Sequence, residues 1–89
     1  MSEKIQNQNH LEPTFSTLIL SIASSAAMSL GIAPNPVSNK IEQDLPMAKF
    51  NIDLLLLLKD KTKNNLSKDE SDFLQKITAD LQMKFVQTK

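Results

Sequence analysis

Hydrophobic residues in this chain fall into three runs with helical spacing, divided by polar segments that contain helix-breaking residues. The first run follows Pro13 and ends near Gly31, the only glycine. On a helical wheel its apolar residues cover more than half of the circumference, and no charged residue lies between Pro13 and Asn39. Surface helices usually show a narrower apolar stripe. The pattern therefore predicts a helix over residues 15–30, with Thr14 as its N-cap, that is covered on most sides.

The second and third runs predict two further helices that form a hairpin. Asp44 is placed to cap a helix over residues 45–63. Ser67 and Glu70 have the spacing of a capping box at the start of a helix over residues 68–86. The segment between the first two helices contains two closely spaced prolines and is predicted to be extended or turn-like. The predicted fold class is therefore all-α, a small three-helix domain made of this hairpin plus the N-terminal apolar helix.

The first dozen residues differ from the rest of the chain. Residues 1–12 are polar, rich in asparagine and glutamine, and show no apolar period. We predict that they form a disordered tail in which His10 is solvated. The remaining residues, 13–89, are predicted to form a single domain, which is as much as 89 residues usually allow.

The second helix carries five consecutive leucines, which must point in several directions around its axis. Its main apolar face is predicted from the residues that share one side of the helical wheel: Met47, Phe50, Leu54, Leu55, Leu57 and Leu58. Ile52 and Leu56 lie off that face, one turn apart, and are predicted to form a secondary contact patch.

The first helix has more apolar surface than a three-helix monomer needs to bury. Leaving leucine-sized side chains in water forgoes about 1.5–3 kcal/mol each, and contiguous apolar patches usually mark contact surfaces. A short chain also gains much from pooling its core with that of a second copy. We therefore predict a twofold homodimer, and the alternative is a dense monomer with an alanine-rich central helix. The predicted self-association surface consists of Leu18, Ile19, Ile22, Ala23, Ala26, Ala27 and Leu30.

Composition excludes several classes of chemistry. The sequence has no cysteine, tryptophan, tyrosine or arginine, one histidine, and ten lysines balanced by ten acidic residues. Disulfide scaffolds, zinc fingers, thiol catalysis and glycine-rich phosphate loops therefore lack their atoms. We expect no catalytic residues, metal or cofactor, hence a non-enzymatic interaction protein that also accommodates an unknown protein partner. The absence of cysteine is compatible with the cytoplasm, where we expect the protein to reside.

Two alternative functions remain open at this stage. Residues 15–33 carry no charge and are just long enough to enter or cross a membrane, but they contain several hydroxyl groups and lack flanking lysines. Four lysines near the second turn could contact RNA or the ribosome, although no aromatic residue accompanies them and the net charge is zero. These lysines are Lys59, Lys61, Lys63 and Lys68. We therefore expect self-association in preference to a membrane role or nucleic-acid binding.

The sequence resembles the DUF1844 family over residues 15–86. The match is carried by the segment Phe15–Ala26, by Leu30-Gly31, Pro34-Asn35-Pro36, Asp44-Leu45, Ala48-Lys49 and Ile52-Asp53-Leu54-Leu55, and by Lys61-Thr62-Lys63, Asn65-Leu66-Ser67, Glu70, Leu74 and the segment Leu81–Val86. Asn64 stands where glycine is expected, and Phe85 stands where tyrosine is usual. The resemblance implies a small bacterial protein or module of unassigned function, and it supplies no catalytic residues.

Overall fold

A computed structural model describes residues 12–88 as a bundle of three α-helices. The helices are α1 (Phe15–Leu30), α2 (Leu45–Lys61) and α3 (Lys68–Thr88), and each packs against the other two. No β-strand occurs in residues 12–88. The predicted all-α, three-helix fold class is thus confirmed.

The helix bounds follow the sequence signals closely. α1 has the predicted bounds, α2 ends two residues earlier than residue 63, and α3 continues two residues beyond residue 86. The chain leaves α2 at Thr62 and then turns through Asn64, whose φ of 69° lies in the left-handed region. The tail predicted over residues 1–12 lies outside the described residues, except for Glu12, and so does His10.

Side-chain caps fix where α1 and α2 begin. The Thr14 hydroxyl accepts a hydrogen bond of 3.1 Å from the backbone N–H of Thr17. The Asp44 carboxylate accepts one of 3.1 Å from the backbone N–H of Met47. Each cap satisfies a donor that has no partner inside the helix. Both predicted N-caps are therefore confirmed.

The core lies where the three helices meet, and it consists mainly of aliphatic side chains. Three polar residues are buried with it, and each side chain donates to a backbone carbonyl four residues earlier, which removes the cost of burying it without a partner. These are Ser29, Asn51 and Thr78. The buried apolar residues are Ile19, Ala26, Leu30, Ala48, Ile52, Leu55, Leu74 and Leu81.

Candidate interaction surfaces

The residues predicted for self-association on α1 are divided between the core and the surface. Leu18 is 45% exposed. Three others are half-buried, namely Ile22, Ala23 and Ala27. The remaining three have at most 1% of their surface exposed and already pack inside the bundle: Ile19, Ala26 and Leu30. In the folded single chain, a second copy can therefore reach this set only through Leu18 and the edges of the half-buried residues.

The secondary patch predicted on α2 is split in a similar way. Ile52 is only 5% exposed and belongs to the core, whereas Leu56 is 36% exposed. The rotation of α2 about its axis explains this difference, because Ala48, Ile52 and Leu55 form the buried side of the helix. Of the six residues predicted to share the main apolar face of α2, only Leu55 is fully buried; two are half-buried, and Met47, Phe50 and Leu57 are exposed.

An apolar stripe instead faces outwards along α2. We call Met47, Phe50, Leu54 and Leu57 the α2 stripe. Leu54 is half-buried, and the other three are 46%, 55% and 50% exposed, in chain order. The alternating spacing of three and four residues places all four on one side of the helix, as in the seam of a coiled coil. All four belong to the main apolar face that the helical wheel predicts for α2.

The α2 stripe borders an exposed apolar residue of α1. A shallow cleft is lined jointly by Ser25 and Ser29 of α1 and by Met47 and Asn51 of α2, so these two sides of the helices adjoin. Leu18 lies two turns before Ser25 on the same side of α1. Leu18 and the α2 stripe therefore belong to one face of the bundle.

Charged residues mark the far border of the α2 stripe. Asp53 and Asp60 follow that border along the helix at a spacing of seven residues. Asp53 forms an exposed ion pair with Lys49 at 2.9 Å. Such a pair contributes at most about 1 kcal/mol. Its role on this surface is to keep the border solvated and so limit the width of the apolar face.

A second surface feature is a cleft of about 670 Å³ at the turn between α2 and α3, which we call the turn cleft. Three of the four lysines considered for RNA binding line it, and Lys61 does not. Among the described residues, Asp60 is the only acidic one in the lining. The rest of the lining consists of leucines, hydroxyl groups and the amide of Asn64. The lining lysines are Lys59, Lys63 and Lys68, and the leucines are Leu56, Leu66 and Leu74.

Several carboxylates of the described segment serve as caps or form exposed ion pairs. Glu70 accepts from the backbone of Ser67, Asp72 pairs with Lys68 at 3.0 Å, and Asp80 pairs with Lys84 at 2.7 Å. Within residues 12–88, no three histidine or acidic side chains gather in a way that could hold a metal ion.

These features define a class of protein: a small all-α domain of three helices, with an apolar stripe and a basic cleft on its surface. Its sequence matches DUF1844, described as a domain of unknown function, over residues 12–87, and the chain belongs to this family. The family resemblance inferred from the motifs is thus confirmed. No curated protein and no solved structure matches the chain. None of the helices in residues 12–88 has the length and apolarity needed to cross a membrane, and the expected cytoplasmic location stays a prediction.

Proposed function

We propose that this chain is a non-enzymatic interaction module that forms a twofold homodimer through the α2 stripe together with Leu18. The observation that carries the proposal is the exposure of Met47, Phe50 and Leu57, each close to one half, on one continuous side of α2. The core beneath them is complete without them. A soluble helix normally turns its large apolar residues inwards, so a stripe that faces out favours contact with another protein.

The size of the apolar face favours a reversible dimer over a permanent one. Half-exposed leucine-, methionine- and phenylalanine-sized side chains together offer on the order of a few hundred Å² of apolar surface, which is typical of functional patches. A stable complex buries about 800 Å² on each partner. The apolar face therefore supplies the centre of an interface, and polar neighbours must supply the rim. We expect dimerisation to depend on protein concentration.

A second copy is the occupant that this surface suits best. The exposed residues of the α2 stripe recur at alternating intervals of three and four residues, which is the pattern of the seam between two helices in a coiled coil. A twofold axis would place the α2 stripe of one copy on that of the other, so that one patch covers two exposed surfaces. Along the far border, Asp53 and Asp60 would stay in solvent at the rim, where polar groups are usual.

The proposal is tested by measuring the mass of the full chain by sedimentation velocity over a wide range of concentration. We expect the mass to rise from monomer to dimer. Leu57→Lys should hold the chain in the monomer, because it places a charge at the centre of the interface. Val86→Lys is the matched control, since Val86 is 70% exposed on α3 and lies outside the α2 stripe. Circular dichroism of both variants verifies that the helices are retained.

Three results would contradict this proposal. The first is a monomer at every concentration. The second is a dimer that Leu57→Lys leaves intact. The third is binding of the monomer to lipid vesicles through the same stripe, which would favour the alternative of membrane association.

A further inference from the structure

The turn cleft combines an apolar floor with a basic rim, a combination that is absent from the α2 stripe. We propose that this cleft binds an amphipathic anion, namely a single aliphatic chain that ends in a carboxylate or phosphate group. The leucines would contact the chain and the lysines would contact the anionic head. This inference does not depend on dimerisation, because it concerns a different surface of the bundle.

The floor of the turn cleft offers accessible apolar surface. Leu56 is 36% exposed and Leu66 is half-buried, and both lie beside Leu74, which is 1% exposed and anchors the floor in the core. The cleft volume of about 670 Å³ falls within the range of roughly 300–1,000 Å³ that is common for small-molecule sites. An aliphatic chain of moderate length therefore has room in the cleft and meets apolar surface on its floor.

The turn cleft is lined by three lysines and by one carboxylate, that of Asp60, so its rim carries a net positive charge that suits an anion. Within the described residues, Lys59 and Lys63 form no ion pair, whereas Lys68 pairs with Asp72 at 3.0 Å. Lysine side chains can lay their methylene groups over apolar surface while the ammonium group reaches outwards. Lys59 and Lys63 are therefore free to close over a bound chain and to pair with its head group.

The walls of the turn cleft are held in place without a ligand. The Thr62 hydroxyl donates to the Leu58 carbonyl at 2.6 Å, and the Asn65 backbone N–H donates to the Thr62 carbonyl at 2.9 Å. On the other side, the capping box of Ser67 and Glu70 fixes the first turn of α3. A site whose backbone is already ordered loses less entropy when a ligand binds.

The composition of the lining favours a small amphiphile over nucleic acid. Within residues 12–88, no aromatic side chain lines the turn cleft, so bases would have no aromatic surface there on which to stack. The sequence also has no arginine, the residue that best recognises phosphates in a two-pronged geometry. The three leucines of the lining would, by contrast, find no apolar partner in the charged backbone of a polynucleotide.

The test is a titration of the full chain with dodecyl phosphate and with dodecanoate, each below its micelle concentration, followed by calorimetry and by backbone amide NMR. We expect saturable binding at one site, with shifts concentrated around the turn between α2 and α3. Inorganic phosphate and neutral dodecanol should each bind much more weakly. Leu56→Ser should weaken binding, while Leu57→Ser, one residue further along and on the α2 stripe, should not.

The contribution of the rim is tested by exchanging lysines. The double variant Lys59→Gln with Lys63→Gln should bind dodecyl phosphate about three- to tenfold more weakly, as expected for the loss of two exposed charge pairs. Lys40→Gln with Lys76→Gln is the matched control, because it removes the same charge from exposed positions outside the turn cleft. The control should bind as the unaltered chain does.

Several outcomes would overturn the inference. One is the absence of saturable binding, and another is an equal loss of affinity in both lysine double variants. If inorganic phosphate or an oligonucleotide bound as tightly as dodecyl phosphate, the site would recognise anions without contribution from the leucines. Shifts centred on Met47 and Phe50 would place the amphiphile on the α2 stripe. Binding to anionic vesicles but not to the free amphiphiles would show a membrane surface.

Discussion

Gly31 shows how one residue sets the end of α1 and the direction of the chain that follows. Its φ of 82° and ψ of 19° lie in the left-handed region, which most side chains avoid. Its backbone N–H donates to the Met28 carbonyl at 3.0 Å, and the next N–H, of Ile32, donates to the Ala27 carbonyl at 3.1 Å. These two bonds form a Schellman motif, which satisfies carbonyls that have no partner inside the helix. Glycine is therefore required here for its backbone conformation.

We expect Gly31→Ala to lower the free energy of unfolding by about 1–2 kcal/mol, the usual cost of a left-handed alanine. The cause would be the backbone, because an added Cβ would meet Gln43 Cβ at 3.5 Å, which is an ordinary contact. Gly31→Asn is the control, since asparagine tolerates this conformation better. Urea denaturation measures both variants, and an alanine variant as stable as the unaltered chain would refute the explanation.

At the scale of the helix, the start of α3 depends on a reciprocal pair of hydrogen bonds. The Ser67 hydroxyl accepts from the Glu70 backbone N–H at 3.1 Å, and the Glu70 carboxylate accepts from the Ser67 backbone N–H at 3.0 Å. The predicted capping box is thus confirmed. It satisfies one donor at the start of α3 and one just before it, and it also fixes one wall of the turn cleft.

We expect Ser67→Ala to destabilise the chain by about 1 kcal/mol, because a backbone donor at the start of α3 loses its acceptor. For a domain of this size, such a loss lowers Tm by about 4–8 °C. Ser67→Thr keeps the hydroxyl and should stay close to the original Tm. Thermal unfolding followed by circular dichroism compares them, and equal Tm values for the alanine and threonine variants would contradict a capping role.

Local sequence signals predicted the helices well because caps and breakers act within a few residues. The bounds of α1 and the N-caps at Thr14 and Asp44 depend on such neighbours. The buried side of α2 depends on the other two helices instead. Its five leucines allow one apolar stripe through Ala48 and another through Met47, both with helical spacing. Tertiary packing selects the first, and no local signal distinguishes them.

The same limit explains the outcome for α1. A helix with apolar residues around more than half of its circumference must be covered, but the sequence does not say whether its own chain or a second copy covers it. In the structure, α2 and α3 cover Ile19, Ala26 and Leu30. The large apolar residues that stay exposed therefore include those on the outer side of α2, in the α2 stripe. The self-association predicted from α1 remains a prediction, and the surface now proposed for it is the α2 stripe with Leu18.

At the scale of the whole molecule, α2 separates two surfaces. Leu56 lines the turn cleft, and Leu57, the next residue, belongs to the α2 stripe, because successive residues of a helix point about 100° apart. A dimer formed through the α2 stripe would therefore leave the turn cleft open to solvent. The two proposed interactions can then occur together in one complex, and each can be removed without the other.

This separation predicts two independent effects on thermal stability, since anything that binds only the folded state raises Tm. We expect the Tm of the unaltered chain to rise with protein concentration and to rise further when dodecyl phosphate is added. Leu57→Ser should remove the first effect and retain the second, and Leu56→Ser should do the reverse. Scanning calorimetry at several protein and ligand concentrations measures both effects. If either substitution removed both of them, the two surfaces would be coupled, and the bundle would not contain the independent sites proposed for it.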